Sequence, residues 1–327
     1  MGITLHAEET IFPLAEVFTI SRGSRTQARV VTVKVSDGTH TGWGECVPYA
    51  RYGETVEGVI ADIMALAAQF EAGLNREKLQ STMPAGAARN ALDCALWDLE
   101  AKRKGTSARE LAGFAPLAPV TTAYTLSLAD PDVMERKAAE HAHRPLLKIK
   151  LGGEGDMARL EAVRRGAPKT DIIIDANEGW SAEVYTELAP TLVRLGVKLV
   201  EQPLPSGEDD ALLEIARPLP VCADESCHDR TSLPALKGKY DVVNIKLDKT
   251  GGLTEALALR QAALDQNYAI MIGCMVGSSL AMAPAHLLAQ GAPFVDLDGP
   301  LLLAEDRVPP LTIDGSIIHP PEPALWG

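Results

Sequence analysis

The sequence predicts an α/β protein built as a (β/α)7β, TIM-like barrel with an α+β capping domain. From Val120 onward, short β-rich runs recur about every 22 to 27 residues, and segments with helical apolar periodicity lie between them. Before that point the pattern is that of a strand hairpin followed by helices. Strands and helices that alternate at this spacing form parallel βα units, and eight such strands match a barrel.

The eight predicted barrel strands share short length and apolar character. They are Val120–Ser127, Leu146–Leu151, Asp171–Asp175, Lys198–Glu201, Pro220–Asp224, Asp241–Lys246, Ala269–Gly273 and Phe294–Asp298. An open doubly wound sheet is the alternative, but no Gly-x-Gly-x-x-Gly pattern opens the first unit and no phosphate loop is present. A Pro-rich tail replaces the last helix and is expected to pack on the first domain. We therefore predict a barrel at 118–304 and a capping domain at 1–117 plus 305–327.

Within the capping domain, a hairpin and two helices are expected. Ala28–Ser36 alternates apolar and polar residues, and Asp37-Gly38 gives a turn before a second strand at Thr41–Glu45. Helical periodicity covers Thr55–Phe70 and Ala85–Lys104.

A polar segment lies between Phe18 and Ala28 and contains Arg22-Gly23-Ser24-Arg25. On these residues alone a solvated surface loop is the favoured interpretation, and a mobile loop in which the arginines bind an anion is the alternative.

Composition excludes several classes of protein. The 327 residues include 31 Lys and Arg and 44 Asp and Glu, a net charge of −13, which argues against a nucleic-acid or anionic-membrane partner. The five cysteines show no CxxC spacing, so neither a disulfide framework nor a structural zinc site is expected. No signal-peptide pattern and no apolar run of about 18 residues occur. We expect a soluble, cytoplasmic protein, and the sequence does not predict its oligomeric state.

Acidic residues end three consecutive predicted strands: Asp175, Glu201 and Asp224. The carboxyl ends of barrel strands form one face, and neighbouring strands lie about 4.8 Å apart, so these acids can converge on one ion. Carboxylates that meet without a counter-charge repel each other. Oxygen ligands with open positions favour Mg²⁺ over zinc. The sequence therefore predicts a magnesium site.

Three lysines accompany the acids. Lys148 and Lys150 are two residues apart on one strand and face the same way, and Lys246 lies on the strand across the barrel. Lys150 and Lys246 would face a substrate from opposite sides, which suits removing a proton from a carbon α to a carboxylate and returning it on the other face. Mg²⁺ would stabilise the enediolate. The cation and the second lysine should lower the pKa of the base, while Lys148 stays charged and helps hold the carboxylate. A salt-bridge network without metal is the alternative.

Five short motifs contain these groups: Lys148-Ile-Lys150, Asp175-Ala-Asn177, Glu201-Gln-Pro203, Ala223-Asp224-Glu225-Ser226 and Asn244-Ile-Lys246. Together they resemble the enolase superfamily, muconate-lactonizing-enzyme subgroup, over nearly the whole chain. A lysine base with Mg²⁺ is known for enolase-superfamily sites. Cycloisomerases and o-succinylbenzoate synthases share these motifs, so they do not alone name the reaction.

A narrower resemblance comes from Asp296-Leu-Asp298, which is similar to the Asp-x-Asp of dipeptide epimerases, where the pair holds the ammonium of the N-terminal residue. Two carboxylates far from the metal prefer a cation, whereas muconate and succinylbenzoate are anionic. Helix capping or a surface acid pair is the alternative. Arg25, immediately before Thr26, resembles the cap-loop arginine that meets the side-chain carboxylate of a glutamate.

The resemblance to dipeptide epimerases implies interconversion of L-Ala-D-Glu and L-Ala-L-Glu, in murein-peptide metabolism. It implies the following roles: Lys150 and Lys246 exchange the α-proton, Asp175, Glu201 and Asp224 bind Mg²⁺, and Arg25, Thr125, Lys148, backbone near Cys274, Asp296 and Asp298 contact the dipeptide. Met275–Ser278 departs from many relatives of the subgroup, which carry an acid before the serine. The alternatives are another superfamily reaction, such as that of a cycloisomerase or an N-acylamino acid racemase, and a catalytically silent barrel that binds peptides or metal.

Overall fold

An antiparallel sheet begins the chain in the computed structural model, which describes residues 2–327. Its strands are β1 (Thr4–Ile20), β2 (Gly23–Ser36) and β3 (Thr41–Cys46), in the order β1-β2-β3. The predicted hairpin is confirmed, since β2 and β3 pair from Ser36 opposite Thr41 to Val31 opposite Cys46. The long strand β1 was not predicted, because its apolar and polar residues do not alternate regularly.

Five helices complete the first region, which we call the cap (residues 2–117). They are α1 (Val56–Met64), α2 (Ala67–Glu71), α3 (Arg76–Thr82), α4 (Ala87–Lys104) and α5 (Ala108–Leu111). The helix predicted at Thr55–Phe70 is divided into α1 and α2, and α3 was not predicted. The hydroxyl of Thr55 accepts the Gly58 N–H at 3.0 Å and so caps α1.

Two glycines of β3 let α4 lie directly on the sheet. A Cβ added at Gly42 would lie 2.0 Å from the carbonyl oxygen of Ala95, and one at Gly44 would lie 2.0 Å from that of Ala91. Both glycines face the helix, because they are two residues apart on one strand. The Gly-Trp-Gly sequence thus determines how closely the cap helix approaches its sheet.

The second region is the predicted barrel. After β4 (Val120–Thr121), its strands are β5 (Tyr124–Leu126), β6 (Leu146–Lys150), β7 (Asp171–Asp175), β8 (Val197–Glu201), β9 (Val221–Ala223), β10 (Val242–Ile245), β11 (Ala269–Gly273) and β12 (Phe294–Asp296). They form one eight-stranded sheet in sequence order, and the paired neighbours are parallel. The Ala123 N–H donates to the Val295 carbonyl at 2.8 Å, which brings the two edges together into a nearly closed barrel.

The helices that follow the strands are less regular than expected. They are α6 (Pro131–Glu140), α7 (Asp156–Gly166), α8 (Ala182–Arg194), α9 (Leu233–Leu236), α10 (Leu247–Thr250), α11 (Leu253–Asp265) and α12 (Ser279–Leu288). Only the 3₁₀ turn Asp209–Leu213 stands between β8 and β9. None of the helices in residues 2–327 combines the length and apolar character that a membrane crossing needs. The cytoplasmic location stays a prediction.

The run predicted as one strand at Val120–Ser127 is two strands in different sheets. β4 pairs with the tail, whose strands β13 (Ile313–Asp314) and β14 (Ile317–Ile318) form a hairpin beside it, while β5 belongs to the barrel. The prediction of a single strand was wrong because both halves are apolar, and sequence alone does not show which partner each half finds.

The tail also reaches the cap. The indole N–H of Trp326 donates to the Cys94 carbonyl at 3.0 Å, and the Gly327 N–H donates to Asp98 Oδ1 at 2.8 Å, both on α4. The tail therefore packs on the first region, as expected. The limits 1–117 with 305–327 and 118–304 stay a prediction.

Replacing Trp326 with alanine is expected to destabilise the protein by about 3–5 kcal/mol, because a large buried aromatic side chain leaves a cavity when it is removed. The Trp326 side chain is 1% exposed. The free energy of unfolding in urea measures the effect. Val308→Ala is the control, since Val308 is 90% exposed and should change the stability little. Equal stability of the Trp326 variant and the unaltered protein would contradict the expectation.

Buried acids join the cap to the barrel. On α4, Asp93 accepts the Thr254 N–H at 2.8 Å, near the start of α11. In the other direction, Asp248 on α10 accepts the Val47 N–H of the cap at 3.0 Å. These bonds hold the cap against the two helices that follow β10, the sixth strand of the barrel.

Candidate active site

The three acids predicted to converge do so. Asp175 ends β7, Glu201 ends β8 and Asp224 follows β9, and each offers an oxygen within 4.8 Å of the others. All three are buried. Burial and the charge of Asp175 raise the pKa of Glu201 to about 7. A crowded set of carboxylate oxygens of this kind suits a hard divalent cation.

Lys148 lies among these acids. Its Nζ is 2.6 Å from Glu201 Oε2, 2.7 Å from Asp296 Oδ2 and 3.2 Å from Asp175 Oδ2. Burial lowers the pKa of Lys148, but the three carboxylates outweigh burial and hold it well above its usual value. The ammonium therefore stays charged, as expected from the sequence.

Lys150 and Lys246 stand on strands β6 and β10, which are four places apart in the eight-stranded order and so face each other across the barrel. Lys150 Nζ lies 2.6 Å from Asp175 Oδ2, and Lys246 Nζ lies 2.6 Å from Asp224 Oδ2. Each lysine therefore reaches the acid cluster from its own side, which is the opposed arrangement that the strand positions predicted.

The protein's own charges raise the pKa of Lys246. Burial lowers it, and the Lys148 charge lowers it further, as expected. The charges of Asp224 and Glu201 outweigh both effects and hold the pKa well above its usual value. The lowering expected from the sequence depends on a bound cation as well as on the second lysine, so it stays a prediction.

Asp296 and Asp298 are both buried at the end of β12. Asp296 Oδ2 pairs with Lys148, while its Oδ1 has no hydrogen-bond partner among residues 2–327. Asp298 Oδ2 accepts the Thr125 N–H at 2.6 Å, and burial and the Asp296 charge raise its pKa to about 7. The pair is not a surface pair.

The sequence interpretation was wrong to place both carboxylates of this pair far from the metal ligands. Asp296 shares the Lys148 ammonium with Glu201, because the long lysine side chain spans the distance between them. Asp298 has no ion pair within residues 2–327 and is the acid of the pair that stands apart from the cluster.

One cavity brings the predicted residues together. It is lined by Arg25, Thr125, Lys148, Lys150, Asp224, Lys246, Cys274, Asp296 and Asp298, with Tyr49 and Tyr52 from the cap. Asp175 and Glu201 lie just outside its lining and contact it through the lysines. Burial raises the pKa of Cys274 well above its usual value, so its thiol stays neutral beside the acid pair. The cavity therefore has the cluster of acids and lysines at its base and charged groups on its walls.

The segment predicted as an irregular loop after Phe18 is instead the tip of the β1–β2 hairpin, with Ile20 opposite Gly23 and Phe18 opposite Arg25. The prediction was wrong because pairing with β1 orders this polar stretch. Arg22 donates to Glu225 Oε1 at 2.8 Å and to the Asn177 carbonyl at 2.9 Å, so the tip is bonded to loops of the barrel.

Arg25 differs from Arg22 in having free donors. It is exposed, and within residues 2–327 its guanidinium makes no hydrogen bond or ion pair with another side chain. It lines the cavity, and its Cζ lies 5.3 Å from the centre of the Tyr49 ring. Of the two arginines, Arg25 is therefore the one whose guanidinium is not already bonded to other side chains; its role in binding an anion stays a prediction.

Lys249 was missed. Its buried Nζ donates to Asp224 Oδ1 at 2.6 Å and to the Asn244 carbonyl at 3.0 Å. Asn244 in turn donates its amide N–H to Glu201 Oε1 at 2.7 Å. Lys249 therefore fixes one oxygen of Asp224 while the other faces Lys246. A lysine three residues after Lys246, within the short helix α10, is the signal that could have revealed it.

Glu45 was also missed. This cap residue accepts the Ser278 N–H at 2.7 Å and the Ser278 O–H at 2.5 Å, and burial raises its pKa. The loop that follows β11 and begins at Cys274 thus contacts a carboxylate, although no acidic residue stands immediately before Ser278 in the sequence. The two residues are 233 positions apart, so no local pattern could reveal the contact.

Comparison with known proteins agrees with this geometry. Residues 3–113 match the family described as mandelate racemase / muconate lactonizing enzyme, N-terminal domain, and residues 133–323 match the family described as enolase C-terminal domain-like. The chain belongs to the mandelate racemase/muconate lactonizing enzyme family. The predicted enolase-superfamily membership is thereby confirmed.

Relatives of this chain include an L-Ala-D/L-Glu epimerase of Escherichia coli K12. The two sequences are 48% identical over 318 residues, which cover 97% of this chain and 99% of the relative. An N-acetyl-D-glutamate racemase of Pseudoalteromonas is 45% identical over 91% of this chain and 95% of the relative.

Solved structures of the family superpose closely. An Agrobacterium tumefaciens enolase family member with homology to dipeptide epimerases, holding sodium and L-Ala-L-Glu, has a TM-score of 0.98 at 56% identity, covering 99% of this chain and 100% of that one. A dipeptide epimerase of Enterococcus faecalis, complexed with Mg and L-Leu-L-Tyr, has a TM-score of 0.91 at 29% identity, covering 98% of both chains.

Proposed function

We propose that the protein is a Mg²⁺-dependent dipeptide epimerase, an isomerase that interconverts L-Ala-D-Glu and L-Ala-L-Glu by proton transfer at the Glu α-carbon. The observation that carries this proposal is the placement of Lys150 and Lys246 on opposed strands, each 2.6 Å from an acid of one cluster. The relatives from Escherichia coli and Agrobacterium tumefaciens support the substrate. We place the reaction in murein-peptide metabolism in the cytoplasm.

Asp175, Glu201 and Asp224 fit a magnesium ion. They are three buried carboxylates with oxygens within 4.8 Å of one another, they repel one another, and they supply only oxygen donors. When bound, Mg²⁺ supplies positive charge that stabilises the negative charge developed on the substrate carboxylate. The magnesium in the Enterococcus faecalis complex favours an ion site over a salt-bridge network alone.

The chain's own groups move the proton. One of Lys150 and Lys246, in its neutral form, takes the α-proton from one face of the substrate carbon, and the other, as an ammonium, returns a proton to the opposite face. The charged Lys148 pairs with Asp175 and Glu201 and contributes positive charge near the reacting carboxylate. The buried barrel end excludes water, which strengthens these electrostatic effects.

The two ends of the dipeptide are bound by groups of opposite charge. Asp296 and Asp298 face the cavity and suit the α-ammonium, whereas the free guanidinium of Arg25 suits the glutamyl side-chain carboxylate. Thr125 orients Asp298 through its N–H, and Cys274 lines the wall beside both acids. This distribution of charge fits an acidic dipeptide with a free amine.

Deuterium uptake tests the proposed substrate. In heavy water, the Glu Cα of both L-Ala-D-Glu and L-Ala-L-Glu should exchange its proton for deuterium, as read by NMR or mass spectrometry. If neither diastereomer exchanges, the substrate assignment is wrong.

Racemisation of an N-acylated glutamate is a second candidate, which the Pseudoalteromonas relative favours. A cycloisomerase reaction on an anionic substrate is less compatible with the site. An N-acyl group carries no positive charge, so the buried Asp298, which has no ion pair within residues 2–327, would have no counter-ion in that reaction. Whether the reaction requires a free ammonium group on the substrate therefore distinguishes these candidate functions.

We expect Asp298→Asn to lower kcat/KM for L-Ala-L-Glu by roughly 30-fold or more, because one partner of a buried charge pair is lost. The asparagine oxygen can still accept the Thr125 N–H. Activity toward N-acetylglutamate, measured in parallel, should fall much less. An equal loss with both substrates would contradict a role in binding the ammonium.

The pH dependence should follow the same acid. Asp298, with a pKa of about 7, is charged above that pH and neutral below it, so kcat/KM for a free-amine dipeptide should fall as the pH decreases below about 7. Above roughly 8, the substrate amine loses its proton and binding should weaken again. In Asp298→Asn the decrease in kcat/KM below about pH 7 should disappear. If the decrease persists in this variant, another group causes it.

A further inference from the structure

We propose that Tyr49 is a specificity-determining residue that holds Arg25 in position for the side-chain carboxylate of the substrate. The inference rests on the proposed dipeptide epimerase function and extends it to the choice between acidic and neutral side chains. Tyr49 contacts both arginines of the hairpin tip and lines the cavity.

The Tyr49 ring is itself firmly placed. The residue is 9% exposed, and its N–H donates to Glu54 Oε2 at 2.9 Å. Its ring meets that of Tyr52 edge to face with centroids 5.4 Å apart, and Tyr52 in turn meets the His228 ring at 4.7 Å. A chain of rings therefore connects Tyr49 to the barrel, and the ring position does not depend on the hairpin alone.

Tyr49 makes its closest contact to each arginine with a different part of its side chain. Its hydroxyl accepts a hydrogen bond from Arg22 at 3.0 Å, and Arg22 is also bonded to Glu225. Its ring lies 5.3 Å from the Arg25 Cζ, within the range of cation–π attraction. Arg22 thereby anchors the tip, whereas the Arg25 guanidinium stays free to bind a ligand.

A long arginine side chain loses much rotational freedom when it binds, and a contact that already restricts the side chain reduces that loss. The ring of Tyr49 supplies such a contact at the wall of the cavity. A planar guanidinium can then meet a carboxylate with two hydrogen bonds. Removing the ring should weaken selection for an anionic side chain, while Lys150 and Lys246 remain in place for proton transfer.

The experiment compares kcat/KM for L-Ala-L-Glu with kcat/KM for L-Ala-L-Gln. We expect Tyr49→Leu to lower this Glu-to-Gln ratio by roughly three- to thirtyfold, the range of a cation–π contact. Tyr49→Phe keeps the ring and should lower the ratio less than Tyr49→Leu does. Tyr49→Met, which retains more bulk, gives the same readout should the leucine variant not fold.

A double-mutant cycle separates positioning of Arg25 from general support of the cavity. Arg25→Met should itself lower the Glu-to-Gln ratio, and adding Tyr49→Leu to it should change the ratio no further. Trp43→Leu is the matched control, because the Trp43 ring lies 4.7 Å from Lys34 Nζ in a similar contact but does not line the cavity. Its ratio should equal that of the unaltered protein.

Two outcomes would overturn the inference: Tyr49→Leu lowers activity on both dipeptides equally, or it changes the ratio as much with Met at position 25 as with Arg. Failure of the proposed function looks different, since the unaltered protein would then exchange neither dipeptide.

Discussion

Replacing Lys246 with methionine is expected to lower epimerisation by about 10²–10⁴-fold while deuterium exchange from one of the two diastereomers persists. Lys150 would still remove the proton on its own side, but no acid would return a proton on the opposite face. Lys150→Met should show the reverse preference. NMR of each diastereomer in heavy water measures both quantities.

The fold should survive these substitutions, because Asp224 keeps Lys249 as a partner and Asp175 keeps Lys148. Lys239→Met is the matched control, since Lys239 is a buried lysine paired with Asp209 at 2.5 Å but outside the cavity. It should leave exchange unchanged. Equal loss of exchange from both diastereomers in each catalytic variant would end the case for opposed bases.

Glu201→Gln is expected to weaken Mg²⁺ binding by at least about 100-fold and to abolish epimerisation. Glu201 stands on the middle strand of the three that carry the cluster, and the affinity of an all-oxygen site depends on the charge of its ligands. Glutamine has nearly the same size, and Lys148 retains Asp296 and Asp175 as partners. Isothermal calorimetry with MgCl₂ gives the affinity directly, independently of activity.

Glu225→Gln is the control for this experiment. Glu225 is a buried acid next to Asp224, but it pairs with Arg22 and does not belong to the cluster of three. Its variant should bind Mg²⁺ with little change. Unaltered binding to Glu201→Gln would instead favour the interpretation in which acids and lysines form only a network of ion pairs.

The convergence of the three acids and the opposed lysines could be predicted from the sequence because it depends on local information. The strand spacing predicts the barrel, and parallel strands place their carboxyl ends on one face, so the identity of the residues at Asp175, Glu201 and Asp224 is enough to bring them together. The opposed lysines follow equally, since their strands are numbers two and six of eight. No side-chain conformation has to be known for either prediction.

The remaining contacts depend on how far side chains reach and on which segments meet. Lys148 extends to Asp296 on β12, two strands away around the nearly closed barrel, and this contact places Asp296 close to the cluster of acids. Pairing with the unpredicted strand β1 turned an apparent loop into a hairpin tip. The contact between Glu45 and Ser278 joins residues that share no local pattern. Each depends on tertiary packing, which periodicity does not encode.

The buried bonds between cap and barrel bear on how the molecule unfolds. Asp93 and Glu45 of the cap accept N–H groups of the barrel helices, and Asp248 of the barrel accepts one from the cap. Separating the two regions would leave donors and acceptors on both sides without partners, at a cost of about 1–3 kcal/mol for each group. The two regions should therefore melt together in one cooperative transition, and an excised barrel should not persist as an independent folding unit.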